Sequence, residues 1–339
     1  MQTSRSTLAD VAQRAGVSKA TASRVLGGSR DRVSPGLTER VMQAAAELKY
    51  VPNPHAQALA RAASPSVALI VHDIDDPYFS EIARGALGAA ARHERLVMIG
   101  TTFRDPDREV AYVREMRAQQ IHAILLAGSS RRGFALGGGV VAELAAFRQD
   151  GGRVALMMAG HGYPAVVPDN LAGGRMAADH LVGLGHARIG VIAGPQEITS
   201  VSDRLAGFEQ ALAQAGVPAP VVVCSDFTRD GGEKAAACIL AEHADITAIL
   251  ALNDLMAVGA IRHLVGTGRM VPDDVSVMGY DDVPIAADLT PSLTTIRVPM
   301  AEMGAAAMDL ALTTDPDGEP DTIVLDTSLV VRESTGVAA

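Results

Sequence analysis

The run TLADVAQRAGVSKATASRVL, residues 7–26, specifies the structure at the amino end of this 339-residue chain. Thr7 stands three residues before Asp10, a spacing at which each side chain can cap the backbone of the other. Apolar residues recur at helical spacing until Gly16, which predicts the end of this helix, and Ser18 can cap a second helix almost at once. Two short helices joined by so tight a turn predict a helix-turn-helix.

A third helix is predicted from Ser34, with Pro35 in the first helical position, where its missing N–H is harmless. Its apolar positions, from Val41 to Leu48, can close a small core with the first two helices. Three such helices could be a folding module without a further role. The second helix favours DNA instead, because its amino end is polar and cationic and Arg24 can bond a guanine edge through two donors.

Residues 7–26, together with Tyr50–Asn53, resemble the amino-terminal signature of the lactose-repressor-type (LacI/GalR) family of transcription regulators. The resemblance implies that Lys19, Ala20 and Arg24 face the bases, although Ala20 can offer only apolar contact, such as with a thymine methyl. Hydroxyl side chains on the same helix suit phosphate oxygens, which position the protein without specifying sequence. The residues expected at DNA are Thr7, Ser18, Lys19, Ala20, Thr21, Ser23, Arg24, Asn53, Ala56 and Leu59.

The connecting stretch VPNPHAQALARAASP, residues 51–65, is interpreted as a hinge that is helical only when something packs against it. Asn53 can cap a helix, Pro54 fits its first turn, and about nine residues of mostly strong helix formers are marginal alone. In the family that the chain resembles, the partner is the second subunit's hinge helix in the DNA minor groove. Leu59 would there wedge into a base step. Leu59 could otherwise rest on the following domain as an ordinary linker residue.

The charge is divided between two parts of the chain, although its total is −10. Residues 1–64 hold nine Lys and Arg against four Asp and Glu, a balance of +5, so the remainder carries −15. A basic module before an acidic body suggests an anionic partner for the first part alone. The acidic body should repel DNA and confine contact to the amino-terminal module.

The composition is that of a well-packed globular protein, with 48% hydrophobic and 20% charged residues. The amino end has no apolar segment of signal-peptide length, and no run of about 18 apolar residues occurs, so neither secretion nor a membrane span is expected. The expected location is the cytoplasm, in association with the nucleoid. Cys224 and Cys238 lack metal-ligand spacing and further cysteines, so both are expected as buried, reduced thiols. Neither a metal nor a cofactor is expected.

Strands and helices alternate from residue 66 onward. Apolar runs predict strands at 67–71, 96–100, 123–127, 154–158, 189–193, 221–224, 248–252 and 275–278, with helices at about 80–93, 107–120 and 140–150. Continuous apolar runs between amphipathic helices indicate parallel sheets buried on both faces. Two doubly wound sheets in succession predict a bilobed α/β body that binds its ligand between the lobes, at the carboxyl ends of the strands.

The same family resemblance extends to about Glu333, through motifs such as Asp73–Phe79, Arg204–Phe208 and Gly279–Asp282. It implies an effector domain with the periplasmic-binding-protein fold, whose chain crosses between lobes near 160–163, 288–294 and 325–327. The implied division is a helix-turn-helix domain at 1–50, a hinge at 51–65, an effector-binding and dimerisation domain at 66–333 and a tail at 334–339. Within that domain, the first lobe is expected at about 66–161 and 294–325, and the second at about 162–293 and 326–333.

Polar residues at the predicted strand ends are the candidate effector ligands. Arg204 is the strongest, since its five fixed donors suit adjacent hydroxyls or a carboxylate, with a surface salt bridge as its alternative role. Asn253 and Asp281 follow strands and match effector positions of the family, whereas Asp254 could instead cap the next helix. The expected set is Asp73, Tyr78, Phe79, Ser129, His161, Ser200, Arg204, Phe227, Asn253 and Asp281, in which the two phenylalanines could pack on a sugar ring.

The chain departs from many sugar-responsive members of the family after the fourth strand. Those members have an acidic residue where this chain has Met157 and Met158, so that carboxylate is missing. His161 could replace it or be a loop residue. A carbohydrate is the expected effector, while a nucleobase, a phosphorylated sugar or another small polar molecule stays open.

These features together predict a homodimeric, DNA-binding regulator, taken as a repressor, under the control of a small effector in the interlobe cleft. Two-fold symmetry follows from paired recognition and hinge helices on operator half-sites. A solute-binding protein without a role on DNA is one alternative, and residues 1–64 argue against it. An enzyme acting on sugars or nucleotides is another, but the sequence has no glycine-rich phosphate turn and no evident nucleophile–base pair. No membrane partner is expected.

Overall fold

The structure is a computed structural model that describes residues 6–27, 33–51, 66–128, 138–158, 162–314 and 320–338. The chain forms two compact units, an amino-terminal one up to Pro65 and a larger one that begins at Ser66. Among the described residues, every helix is too short or too polar to span a lipid bilayer.

The amino-terminal unit contains the three expected helices, α1 (Leu8–Ala15), α2 (Lys19–Leu26) and α3 (Pro35–Glu47). Thr7 and Asp10 form a reciprocal capping box, in which the Thr7 N–H donates to Asp10 Oδ2 at 2.7 Å and the Asp10 N–H donates to Thr7 Oγ1 at 3.3 Å. Gly16 ends α1 in the left-handed conformation, with φ of 63°. These contacts confirm the helix-turn-helix that the sequence predicts.

The core of this unit is built from small apolar side chains contributed by all three helices. Val11, Val25 and Val41 are fully buried, and alanines such as Ala15 and Ala22 fill the space between them. Burying one valine contributes about 1.5 kcal/mol or more, so a module of this size has enough apolar contact to orient its second helix.

Within the described residues, the larger unit contains two six-stranded sheets, one in each lobe. The strands are β1 (Ser66–Val71), β2 (Leu96–Thr101), β3 (Ala123–Ala127), β4 (Arg153–Leu156), β5 (Ala165–Pro168), β6 (Ile189–Ala193), β7 (Val221–Cys224), β8 (Ala248–Ala251), β9 (Ser276–Asp281), β10 (Thr294–Arg297), β11 (Thr322–Leu325) and β12 (Ser328–Val330). The first sheet has the order β11-β5-β4-β3-β1-β2 and the second has the order β12-β10-β9-β8-β6-β7. All of these strand pairs are parallel except β10 with β12.

Helices cover both faces of these sheets, as doubly wound folds require. They are α4 (Pro77–Arg92), α5 (Pro106–Ala118), α6 (Gly138–Gln149), α7 (Asn170–Gly183), α8 (Thr199–Gln214), α9 (Arg229–Glu242), α10 (Asp254–Gly266), α11 (Ile285–Asp288) and α12 (Met300–Thr313). The two sheets and their helices confirm the predicted bilobed α/β class.

Among the described helices, three pairs pack through reciprocal glycines. In the pair α7 and α8, a Cβ on Gly174 would overlap the carbonyl oxygen of Arg204, and a Cβ on Gly207 would overlap that of Leu171. The pairs α4 with α12 and α9 with α10 have the same arrangement. Each glycine therefore lets one helix backbone lie directly on the other.

Two of the three predicted lobe crossings are wrong. Residues 165–168 form β5 of the first sheet, so the chain leaves that lobe after Pro168 and not near 160–163. Residues 294–297 form β10 of the second sheet, so the chain returns just after Arg297 and not at 288–294. The third crossing lies between β11 and β12, at the predicted position. Both errors arise because neither strand is a continuous apolar run: β5 ends in a proline, and β10 contains two threonines and an arginine.

The segment after Glu333 is packed on the second lobe and is not a free tail. Ser334 is fully buried, donates through Oγ to the Val277 carbonyl at 2.6 Å and accepts from the Thr294 N–H at 2.8 Å. The Ala338 N–H reaches the Leu184 carbonyl at 2.9 Å. The segment thus continues the pairing of the second sheet beyond β12.

Both cysteines are exposed, so the expectation of buried thiols is wrong. Cys224 ends β7, the edge strand of the second sheet, and Cys238 lies on a solvent-facing side of α9. Apolar neighbours in sequence do not settle which face of an edge strand or a helix a residue occupies.

Candidate functional site

A cavity of about 140 Å³ lies between the two lobes, at the carboxyl ends of their strands. Its position agrees with the rule that open α/β sheets bind ligands beyond the ends of their strands. The described residues that line it are Asp76, Tyr78, Phe79, Arg104, Gly128, Met157, Met158, Val167, Pro168, Asn170, Thr199, Ser200, Asp203, Arg204, Phe227, Asn253 and Asp281.

Arg204 is the most constrained cation in this cavity. It projects from α8, is 5% exposed, and donates through Nε to Asn170 Oδ1 at 2.9 Å and through Nη1 to the Leu252 carbonyl at 2.7 Å. Its Nη2 lies 2.9 Å from Asp281 Oδ1, and its Cζ lies 3.9 Å from the ring centroid of Tyr280. Burial is the largest single influence and would lower the pKa of Arg204, but Asp281, Tyr280 and Tyr78 together outweigh it and the pKa is raised. Arg204 is therefore a fixed positive charge.

Asp281 is the last residue of β9 and presents an unsatisfied acceptor. Burial raises its pKa to about 7, although the Arg204 guanidinium opposes that rise. The contact between Asp281 Oδ1 and Arg204 has the distance of an ion pair but not the angles of a hydrogen bond, so Oδ1 has no hydrogen-bond partner among the described residues. A ligand hydroxyl could donate to this oxygen.

Asn253, and not Asp254, caps the helix that follows β8, so the capping role considered for Asp254 is wrong. Asn253 caps α10, since its Oδ1 accepts from the Met256 N–H at 2.8 Å, and its Nδ2 donates to the Phe227 carbonyl at 3.3 Å. Asp254 is fully buried and accepts from Thr295 Oγ1 at 2.6 Å and the Val283 N–H at 2.8 Å. Burial raises the pKa of Asp254 well above its usual range.

Aromatic side chains form two walls of the cavity. Phe79 is buried and meets the rings of His72 and Tyr78 edge-on, at centroid distances of 5.6 and 5.2 Å. Phe227 has a left-handed backbone, with φ of 66°, and its ring lies where a Cβ on Gly194 would be. Such faces can pack against the C–H groups of a sugar ring.

The structure brings seven of the ten expected effector residues together around the cavity. They are Tyr78, Phe79, Ser200, Arg204, Phe227, Asn253 and Asp281. Asp73 does not line it, because its Oδ1 accepts from the Asp75 N–H at 3.0 Å within a turn. Ser129 and His161 lie outside the described residues.

Several lining residues were missed by sequence reasoning. Asp76 caps α4 through its bond from the Tyr78 N–H, and burial raises its pKa. An aspartate just before a proline-led helix is a readable capping signal, but it gives no sign of facing a ligand. Arg104 lies in a left-handed turn with φ of 60°, for which the sequence contains no glycine signal.

The candidate nucleic-acid surface lies on α2. Lys19, Ala20 and Arg24 are exposed, while Thr21 and Ser23 are half-buried. Ser18 accepts from the Thr21 N–H at 3.1 Å and caps α2, and Thr7 caps α1 in the same way. Both hydroxyl groups therefore stabilise a helix in addition to their expected role at DNA. The expected minor-groove residues Asn53, Ala56 and Leu59 lie outside the described residues.

Within the described residues, no three side chains of His, Cys, Asp or Glu lie close enough together to hold a metal ion.

Two family models match the chain. Residues 7–53 match bacterial regulatory proteins of the lacI family, and residues 178–335 match the periplasmic binding protein-like domain. The HTH-type transcriptional regulator GalS of Salmonella typhimurium is 36% identical over 311 residues, which cover 90% of this chain and 89% of GalS.

Solved structures agree with these matches. A complex of the transcriptional regulator CelR with cellobiose has a TM-score of 0.70 and 33% identity, over 97% of this chain and all of that one. The lac repressor dimer bound to operator and the anti-inducer ONPF has a TM-score of 0.85 and 28% identity, over 98% of this chain and 99% of that one.

Proposed function

Because the chain belongs to the LacI family of bacterial regulatory proteins, it is a DNA-binding transcriptional regulator, and we propose that a carbohydrate in the interlobe cavity controls it. One observation carries the proposal. The buried Arg204 guanidinium and the unsatisfied Asp281 Oδ1 lie side by side on the same cavity.

A carbohydrate suits this arrangement because each hydroxyl is both a donor and an acceptor. Arg204 offers a fixed donor and Asp281 an open acceptor, so the pair can hold neighbouring hydroxyls of one ring. Phe79 and Phe227 can cover the apolar face of that ring. The relative CelR, whose structure contains cellobiose, supports the same class of ligand.

DNA binding is assigned to the amino-terminal module, with Lys19 and Arg24 reading bases from the exposed face of α2. The operator complex of the lac repressor dimer supports the same arrangement here, with two copies of the chain on paired half-sites. Leu96 and Ile99 on the edge strand β2, and Leu87 on α4, are exposed apolar side chains that suit a dimer contact. Such a regulator, acting as a repressor, would work in the cytoplasm on the nucleoid.

The effector can control DNA binding if it binds one arrangement of the lobes more tightly than another. A ligand shifts such an equilibrium only by its difference in affinity for the two arrangements. A cavity lined by both lobes provides this difference, because a bound sugar contacts both walls at once.

A binding experiment with the full chain tests the proposal. Duplexes selected by the protein from a random pool are titrated by fluorescence anisotropy at several salt concentrations, with and without cellobiose, ribose, galactose and glucose. We expect affinity to fall steeply between about 50 and 200 mM salt, and one sugar to change it. Asp281→Asn is the matched variant that should keep operator binding and lose the sugar response.

Three results would contradict parts of this proposal. A chain that binds no duplex at low salt would favour a solute-binding protein. A protein–DNA affinity that does not change with salt concentration would contradict phosphate contact by the basic module. Conversion of a sugar to a product would favour the enzyme alternative.

A further inference from the structure

Asp281 and Asp282 form a turn with an unusual backbone. Their φ angles are 112° and 58°, a region that side chains other than glycine rarely adopt. Such a conformation persists only where the surrounding structure holds it, and it is frequent at ligand sites.

Two arginines hold Asp282 from different segments of the chain. Arg297, the last residue of β10, donates through Nε to Asp282 Oδ2 at 2.7 Å. Arg332, in the carboxyl-terminal segment, donates through Nη2 to Asp282 Oδ1 at 2.7 Å and through Nη1 to the Leu293 carbonyl at 2.7 Å. The Asp282 and Arg332 side chains are only 7% and 17% exposed, so solvent screens this pair weakly, whereas Arg297 is 56% exposed.

Neighbouring backbone groups hold the rest of the turn. The Val298 N–H donates to the Asp281 carbonyl at 3.1 Å, and the Val283 N–H donates to the buried Asp254 carboxylate at 2.8 Å. Residues 281–283 are therefore anchored at three successive positions. Val298 is also the residue at which the chain begins its second crossing, since it follows β10 directly.

We infer that Asp282 is a positioning residue for the ligand site, which holds Asp281 through its bonds to Arg297 and Arg332. Asp282 itself is not among the described residues that line the cavity. Its ion pairs fix the turn in which Asp281 Oδ1 faces the cavity and stays beside Arg204. The inference rests on the proposed function in one respect, namely that Asp281 meets the effector.

Asp282→Asn is the informative variant. Asparagine tolerates left-handed backbone and matches aspartate in size, so the change removes the charge and leaves the turn's preference intact. Asp245→Asn is its matched control. Asp245 forms an ion pair with Arg188 at 2.6 Å on the same lobe, but it precedes β8 at the end of the sheet away from the cavity.

The first measurement is calorimetric titration of the full chain with cellobiose and with ribose. We expect Asp282→Asn to weaken binding about tenfold or more, and Asp245→Asn, which removes an exposed ion pair, to leave binding unchanged. Arg332→Lys, which keeps the charge, should recover part of the affinity that Arg332→Gln loses. Equal affinity in the wild type and Asp282→Asn would overturn the inference.

The second measurement needs no ligand. Hydrogen exchange, read residue by residue, should show about tenfold less protection of the Val298 amide in Asp282→Asn than in the wild type. The Val277 amide, which donates to the Ser334 carbonyl in the same sheet, should be unchanged. Unchanged protection of Val298, or a loss that includes Val277, would overturn the inference as well.

The two measurements separate this inference from the proposed function. If the wild type binds no carbohydrate, the proposed class of effector fails, and hydrogen exchange alone decides whether Asp282 holds the turn. If the wild type binds a sugar and Asp282→Asn binds it equally well, the proposed function stands and the inference fails.

Discussion

The guanidinium of Arg104 lies over the ring of Phe227, with 4.9 Å between its Cζ and the ring centroid. Arg104 follows β2 in the first lobe and Phe227 follows β7 in the second, so this cation–π contact joins the two lobes beside the cavity. Both residues have left-handed backbone, with φ of 60° and 66°. Opening of the cleft must break this contact.

A double-mutant cycle should detect that contact in the ligand-free protein. Arg104→Gln and Phe227→Leu are expected to couple by about 0.5–1 kcal/mol in the free energy of unfolding, the range for partly exposed cation–π pairs. Urea unfolding followed by circular dichroism measures it. Arg108→Gln is the control, because Arg108 lies over Phe103 within the first lobe and should be additive with Phe227→Leu. Additivity in the Arg104 cycle as well would show that the lobes are not joined here.

Asp281 should make stability depend on pH around neutrality. Burial raises its pKa to about 7 from an ordinary 3.8, so between these values the folded protein holds a proton that the unfolded chain releases. This stabilising contribution is complete below pH 3.8 and is lost as the pH rises through 7. Urea midpoints from pH 5 to 8 should therefore fall more steeply for the wild type than for Asp281→Asn. Parallel curves for the two proteins would contradict the raised pKa.

Gly174→Ala and Gly183→Ala, two changes on the same helix α7, should have opposite effects. A Cβ on Gly174 would overlap the Arg204 carbonyl, so the variant must push α8 away at a cost of about 1–3 kcal/mol. Gly183 is exposed with open space around it, and alanine there should add about 0.5–1 kcal/mol through helix propensity. Thermal unfolding compares them. Equal destabilisation would show that the helix tolerates no change, whereas a stable Gly174→Ala would contradict the close approach.

Arg24→Ala should weaken operator binding by about 1–3 kcal/mol and relax specificity at one base pair, since Arg24 is exposed on α2 and suited to guanine. Arg14→Ala is the matched control. Arg14 is engaged with Glu47 at 2.7 Å, so its loss should cost little beyond a surface ion pair. Anisotropy titrations with operator and scrambled duplexes measure both. A uniform loss on both duplexes for Arg24→Ala would assign the residue to phosphate rather than to a base.

Most of the fold could be predicted from the sequence, because most strands of a doubly wound sheet are buried on both faces and appear as continuous apolar runs. Four strands escaped prediction, namely β5 and β11, which pair with each other at the edge of the first sheet, and β10 and β12, which pair antiparallel in the second. They are three or four residues long, and β11 alternates between exposed and half-buried positions. Because β5 was missing, the first crossing was placed too early in the chain.

The site was only partly readable. Arg204 and Asp281 were found because their residue types and their family positions both indicated a ligand. The support of Asp281 was not found, since Asp282 meets Arg297 and Arg332 only after β10 and the carboxyl-terminal segment have docked. The positive φ angles of Asp281 and Asp282 could not be predicted either, because neither position is a glycine.

The reciprocal glycines of the paired helices limit where this protein can deform. Backbone resting on backbone has no side chain that can change rotamer, so the pairs α4 with α12, α7 with α8 and α9 with α10 resist sliding. Each lobe should then turn as one stiff block when an effector arrives. The backbone rotation that lets one lobe move against the other is then expected in the three short crossings between the lobes.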